Sequence, residues 1–377
     1  MLKKINKTIR NVGKRYFLSI SKKLGDFTAE RSGTIPVGLS DSAKDTNKLI
    51  GIIGFGNQGK AIYSGISALG GSEVKIICDA DPQKVMAAKS THPGLLAFDN
   101  VNDFINHLTG IDLVIIATTA PFHLDILSKL LPAYQGKILI EKPLDSSLQK
   151  SVSINNQLSE GDRARIFINY AKRNLPDLKN IKEVLKSSMV GKINTIHLAI
   201  GNGELAMITS HYIDYLKYLL DESPERVQAL LNSAGENLRG GQYQDNNGIC
   251  TLFYPNGVTA FFDFSSVHTK KDVQIFIKCE NGYVFFDEYK GYILIAPEGT
   301  APFIYNSMEA GSSRIGIQRV LSDILVDSPR IKCSFEDATE VVKIIYACHY
   351  SSLNNGIPVA VKEDFEKYSA IPELKYP

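Results

Sequence analysis

No stretch of the 377-residue sequence is apolar for long enough to cross a bilayer. The longest such run, around Val114–Ala117, has the length of a buried strand. Cysteine is scarce and odd in number: Cys78, Cys250, Cys279, Cys333 and Cys348 lie far apart in the chain. Without a C-x-x-C pair or a Cys/His cluster, no metal site is indicated, and reduced structural thiols in a cytoplasmic protein are the expectation. The 29 glycines and 15 prolines follow no period, which excludes collagen-like and low-complexity architectures. No internal repeat is present. Apolar residues are not lacking: 44% hydrophobic against 22% charged is a globular balance, able to offset the ordering entropy of folding. The length suits two or three domains.

Acidic residues are missing from one place only. Residues 1–25 hold six Lys, two Arg and no acid, so they carry +8 while the rest of the chain carries −6. A mildly acidic body argues against nucleic acid as a partner. Within the basic arm, Leu2, Ile5, Ile9, Val12, Tyr16, Ile20 and Leu24 recur at steps of three and four, with the cations between them. Such a basic amphipathic helix suits an anionic membrane surface, and equally suits packing on its own body or on a second subunit. A mitochondrial transit peptide ranks below these, since Lys outnumbers Arg and Ser is sparse. The arm lacks the apolar core and cleavage site of a secretory signal. Residues 26–47 read as a linker, so 1–47 is set apart from the folded body.

The next segment predicts a nucleotide-binding unit. Lys48–Ile53 is a short apolar run, followed at once by Gly54-Phe55-Gly56-Asn57-Gln58-Gly59, then a helical stretch 60–69 and a second apolar run, Val74–Cys78, ending at Asp79. This is G-x-G-x-x-G in its required setting of strand, tight turn and helix. Gly54 permits the turn, Gly56 lets the backbone approach a pyrophosphate, and Gly59 lets the helix pack close to the strand. The helix N-terminus offers free N–H groups to the phosphates. A carboxylate at Asp79 accepts hydrogen bonds from the adenine-ribose hydroxyls and repels a 2′-phosphate, which favours NAD over NADP. The alternative for Asp79 is a helix cap or turn residue. Strands and helices go on alternating through 111–117, 122–131 and 137–140, which predicts a parallel doubly wound sheet. Its carboxyl rim would hold Gly54–Gly59, Asp79, Thr118, Thr119, His123, Glu141 and Lys142, all candidates for the cofactor site.

The order G-x-G-x-x-G, strand-end Asp79, Ala117-Thr-Thr-Ala-Pro-Phe-His123 and Glu141-Lys142-Pro143 resembles the Gfo/Idh/MocA oxidoreductases, relatives of glucose–fructose oxidoreductase and inositol dehydrogenase. Asn169–Pro176, Gly191-Lys-Ile193, Gly201-Asn-Gly203, His211-Tyr-Ile-Asp214, Phe335–Ala338, Tyr350–Ser352 and Gly356–Val359 extend the likeness over residues 48–362. The resemblance implies a dinucleotide domain at 48–165 and a substrate-binding and dimerisation domain at 166–377. It also implies catalytic roles for Lys142 and His211, and substrate contacts from Lys142, His211, Arg173 and Asp214. A lysine at a strand's carboxyl end favours a developing alkoxide, and an imidazole can take the hydroxyl proton as hydride leaves. One departure stands out. Four residues before the histidine, where the family usually has Asp, this chain has Met207, which can neither orient an imidazole nor bind a polyol. Glu204, a turn further back, is a substitute by spacing alone.

The second half is rich in Phe, Val, Ile and Tyr, with strands expected at 192–200, 226–233, 248–254, 258–266, 273–279 and 283–287. Asn256-Gly257 and Asn281-Gly282 mark hairpins. This predicts an open, mainly antiparallel sheet. Its aromatic face, with Phe261, Phe262 and Phe264, would need cover, which suggests a homo-oligomer, dimer or tetramer. The expected activity is NAD-dependent hydride transfer on a sugar, cyclitol or sugar-derived, even nucleotide-linked, small molecule. The alternatives are an imine or enone reductase and an NAD-binding sensor or scaffold with weakened catalysis. A cytoplasmic location is expected, with contact to the inner membrane face through the arm as a variant.

Overall fold

The computed structural model describes residues 32–33 and 47–374, apart from 70, 188, 202, 233–244, 266–271, 307–312, 326–332, 363–366, 369–370 and 372–373. The amphipathic pattern at 1–25 lies outside the described residues.

Six parallel strands form the first sheet: β2 (Lys48–Ile53), β3 (Ser72–Cys78), β4 (Leu96–Phe98), β5 (Leu113–Ile116), β6 (Lys137–Ile140) and β7 (Ile166–Ile168). They run in the order β4-β3-β2-β5-β6-β7, the doubly wound arrangement in which strand order reverses between β2 and β5. Strand β5, the last three residues of β6 and the last four of β2 are buried at every position, as a sheet covered on both faces requires. Helices Asn57–Leu69, Pro82–Thr91, His123–Leu130 and Leu148–Gln157 supply cover. The strand at 166–168, expected to open the second domain, pairs with β6 instead. It completes the first sheet.

The second sheet has ten strands, in the order β1-β15-β14-β13-β12-β8-β11-β10-β9-β16. They are β1 (Ser32–Gly33), β8 (Ile193–Ile200), β9 (Arg226–Leu231), β10 (Gly248–Phe253), β11 (Thr259–Asp263), β12 (Val273–Cys279), β13 (Gly282–Asp287), β14 (Tyr292–Pro297), β15 (Phe303–Asn306) and β16 (Val359–Ala360). Two pairings are parallel, β8 with β11 and β1 with β15, and the rest antiparallel. Part of the expected linker thus joins the sheet edge as β1. Both Asn-Gly dipeptides turn hairpins, β10–β11 and β12–β13.

Alternation divides the second sheet. Ile275, Ile277, Val284, Phe286, Phe262 and Phe264 face a core shared with one side of the first sheet and with helix Phe335–Leu353. Phe276, Phe285 and Leu294 form a separate cluster with Tyr283, Tyr292 and Ile304 on the opposite face. Phe261 lies beside His197, ring centroids 6.2 Å apart, on that second face. The three phenylalanines expected on one face are therefore split between two. Helix Ser313–Leu325 returns to the first sheet, burying Val320, Leu321 and Ile324 against its far side. All five cysteines are buried and unpaired. No helix among the described residues is long and apolar enough to cross a membrane.

Candidate active site

The Gly-rich turn fulfils the backbone demands read from its sequence. Gly54 has φ +94°, and a Cβ there would lie 2.6 Å from the Ala117 backbone. A Cβ at Gly59 would lie 2.0 Å from Gly54 O, because the helix starts hard against the strand. Around Gly56 no atom lies within 4 Å of a Cβ position, which leaves room above the turn. Phe55 is buried edge-on to Tyr63 and gives its N–H to Asp79 Oδ2 at 2.6 Å. Asp79 Oδ1 accepts the Asp81 N–H at 3.0 Å and lies 3.3 Å from Lys84 Nζ. The cap of the following helix is Asp81, which accepts the Gln83 N–H. Asp79 thus braces the turn while standing at the tip of β3, where the ribose of a dinucleotide belongs. Lys84, five residues on, escaped the sequence reading.

Behind the rim, Glu141 is buried. It accepts from Gln58 Nε2 at 2.9 Å and Asn169 Nδ2 at 2.5 Å, and burial pushes its carboxyl up. Asn57 is exposed at the helix start. His123 is also buried: Nδ1 lies 3.0 Å from Pro143 O and 3.2 Å from Leu144 O, Nε2 3.0 Å from Thr118 O. A neutral ring carries one N–H and donates to only one of these sides. His123 thereby ties the turn at Thr118 and Thr119 to the turn after Lys142, with its pKa lowered by burial. Glu141, His123 and the Nε2 of Gln58 accordingly bond within the protein. The Thr118 hydroxyl and Asn169 Oδ1 are buried and without a partner. These orphaned atoms, the space over Gly56 and the Asp79 carboxylate fit a dinucleotide held by the turn 54–59 and by Asp79.

Lys142, followed by a cis peptide to Pro143, reaches across to the second domain, where Nζ donates to Met207 O at 2.5 Å. Met207 lies in a π-helical turn, Leu205–Thr209, that leads into helix Ser210–Leu220. The sequence predicts one continuous helix over 205–220; the Thr209 N–H instead reaches five residues back to Glu204 O at 2.7 Å. Such wide turns recur at functional sites, and here the turn breaks the α spacing assumed between positions 207 and 211. His211 stands edge-on to Tyr170, centroids 5.7 Å apart, with Nδ1 buried and unpartnered. Burial, then Lys142 and Lys172, holds its pKa well below 6.5. Lys172 itself pairs with Glu288, which also accepts the Tyr212 hydroxyl at 2.6 Å.

Arg173 and Asp214 are directed at each other. Arg173 Nε donates to Asp214 Oδ2 at 2.9 Å and Nη1 to Asp337 Oδ2 at 3.2 Å, and the Asp214 carboxyl has no solvent exposure. The pair joins the segment after β7 to helices Ser210–Leu220 and Phe335–Leu353. Losing one partner of such a buried pair costs about 3–5 kcal/mol. The carboxylate that holds the Met207 turn was not found by sequence. Asp245 accepts the Ala206 and Met207 N–H groups, and spacing alone gave no sign of a residue that distant in the chain.

Both halves match family profiles. Residues 48–170 match the oxidoreductase family with NAD-binding Rossmann fold, and residues 194–285 match the GFO/IDH/MocA C-terminal domain, together more than half the chain. Inositol 2-dehydrogenase of Corynebacterium glutamicum (strain R) is 28% identical over 147 residues, 38% of this chain and 42% of that protein, so the match spans less than half of that enzyme. Inositol 2-dehydrogenase 2 of Saccharopolyspora erythraea is 25% identical over 276 residues, 69% of this chain and 76% of that protein. Levoglucosan dehydrogenase, solved with NADH and levoglucosan, shares the fold with a TM-score of 0.72 at 18% identity, over 84% of this chain and 100% of that one. With both profiles in order along one chain, on a parallel sheet bearing the dinucleotide turn and a second, mainly antiparallel sheet, the chain belongs to the GFO/IDH/MocA family of NAD-binding oxidoreductases.

Proposed function

We propose that the protein is an NAD-dependent dehydrogenase of a sugar, cyclitol or sugar-derived alcohol. The observation that carries this reading is the approach of Lys142 from the dinucleotide rim to the turn that precedes His211, whose Nδ1 is buried and unpartnered. NAD, when bound, supplies the hydride acceptor. The substrate's C–H bond gives up hydride while its O–H proton passes to His211 Nδ1, which is neutral at physiological pH because burial and two lysines disfavour the imidazolium. Lys142 hydrogen-bonds the substrate oxygen and favours its developing negative charge. Reduction is the same path reversed. The named substrates of the relatives above, inositol and levoglucosan, are polyols, which supports the alcohol class. Met207 favours a second reading, reduction of an imine or enone, which needs one acid and no Asp–His pair.

The test is NADH formation at 340 nm across a panel of cyclitols, hexoses, anhydrosugars and sugar nucleotides, with NADH oxidation on imines and enones alongside. Turnover confined to the last two classes replaces the alcohol reading. The same proposal includes a dimer through the outer face of the second sheet, where Phe276, Phe285 and Leu294 cluster. It also includes attachment of residues 1–25 to an anionic membrane surface.

A further inference from the structure

One carboxylate enters the site from outside the sequence pattern. Asp245 lies on the short stretch leading into β10, close to the turn that receives Lys142. Its Oδ1 and Oδ2 accept the Ala206 N–H at 3.0 and 3.1 Å, and Oδ2 accepts the Met207 N–H at 2.8 Å. Asn246 O takes the adjacent Leu205 N–H at 2.9 Å. Three successive amides of the π-helical turn are therefore fixed by residues 245–246. Met207 is gripped at both ends of its backbone, N–H by Asp245 and carbonyl by Lys142.

We propose that Asp245 is a positioning residue for Lys142, seating it through the backbone of Met207 and balancing its charge in the cleft. It thus supplies from a distant loop a carboxylate that position 207 does not provide. Only the claim that Lys142 touches substrate rests on the dehydrogenase reading. The groups that act on Asp245 are Glu204, which opposes its ionisation, and Lys142 and the Ala206 and Met207 amides, which favour it. Burial outweighs the rest, and the carboxyl is pushed up to about 7. The ionised form, an acceptor at both oxygens, exists above that value. As pH falls through it, protonation turns one acceptor into an O–H and removes the charge facing Lys142, so the hold weakens on the acid side.

The test is competitive labelling of the full-length protein with acetic anhydride, with Lys142 read by mass spectrometry against exposed Lys89 as internal reference. Removing a negative charge beside an ammonium favours its neutral, reactive form. In Asp245→Asn the Lys142/Lys89 ratio at pH 8 is expected to rise about tenfold, the equivalent of one pKa unit. The wild-type protein needs no variant: the logarithm of the same ratio should bend near pH 7. A purely capping role predicts no bend. An unchanged ratio in a folded Asp245→Asn, or a straight wild-type profile from pH 6 to 9, overturns the proposal. NADH binding by fluorescence is measured in parallel. Its absence in wild-type protein overturns the dehydrogenase reading and leaves the labelling result standing on its own.

Discussion

At the scale of single residues, side chains proposed to meet the ligand also hold the protein together. Asp79 holds the Phe55 N–H while standing where a ribose would meet it. Asp79→Ala should therefore weaken NAD binding and, more tellingly, shift preference toward NADP. The repulsive carboxylate is gone, while Lys84, now 3.3 Å from it, remains to meet a 2′-phosphate. The ratio of the two cofactor affinities should move about tenfold or more, the equivalent of 1.4 kcal/mol. An unchanged ratio in fluorescence titrations removes Asp79 from cofactor selection. Position 207 is the second test. Met207→Asp would place a carboxylate on a residue whose own amide Asp245 already holds, and like charges raise each other's pKa. The change should lower kcat/KM on the best substrate of the wild-type protein, and a gain on myo-inositol would show that the site merely lacks a conventional carboxylate. That Lys142, His211 and Asp79 lie at this cleft was legible because each sits in a short local pattern. Asp245 was not, because a hydrogen bond spanning 38 residues leaves no local trace.

Elements were legible where one periodicity acts alone. Runs such as Lys137–Ile140 and Val273–Cys279 form strands with the expected bounds, and both Asn-Gly turns close hairpins. Three-residue strands such as Leu96–Phe98 are too short to show a period. Ile166–Ile168 reads alike in either sheet, and pairing with β6 decides its place. The π-helical turn has no sequence signature, since what makes it is two backbone bonds that each reach five residues back, from Thr209 to Glu204 O and from Ser210 to Leu205 O. The strand–turn–helix unit supplies the prediction at this scale. Gly59→Ala would drive a Cβ to 2.0 Å from Gly54 O, a backbone atom that cannot swing aside. The cost should be roughly 1–3 kcal/mol or more, as in other overpacked sites. A lowered Tm together with lost NADH binding checks it, and a variant with wild-type Tm and affinity contradicts the close packing.

For the whole molecule, two sheets share one core, and helix Phe335–Leu353 lies within it. The candidate site is bridged by Lys142 on Met207 O, and the Arg173–Asp214–Asp337 cluster ties the segment after β7 to two helices. The sequence indicated both sheets, but not that 313–325 returns to the first one or that 32–33 edges the second, because such returns depend on tertiary pairing. Residues 1–25 precede every described element, so deleting them should leave Tm and NADH affinity unchanged. Binding to anionic liposomes should be lost, since each Lys or Arg near such a surface contributes about 1 kcal/mol. Full-length protein that ignores anionic vesicles at low salt contradicts the membrane assignment, and a dimer that dissociates on truncation makes the arm a subunit contact.

The central claim is that Lys142 acts on the substrate oxygen during hydride transfer. It is tested most directly by kcat of Lys142→Ala on the best substrate, measured at 340 nm alongside NADH affinity in the same preparation. Losing one charged donor to a developing oxyanion should lower kcat by about 10²–10³ with NADH affinity within a factor of about two of wild type, since uniform binding is untouched. A folded variant that keeps wild-type kcat would contradict the account.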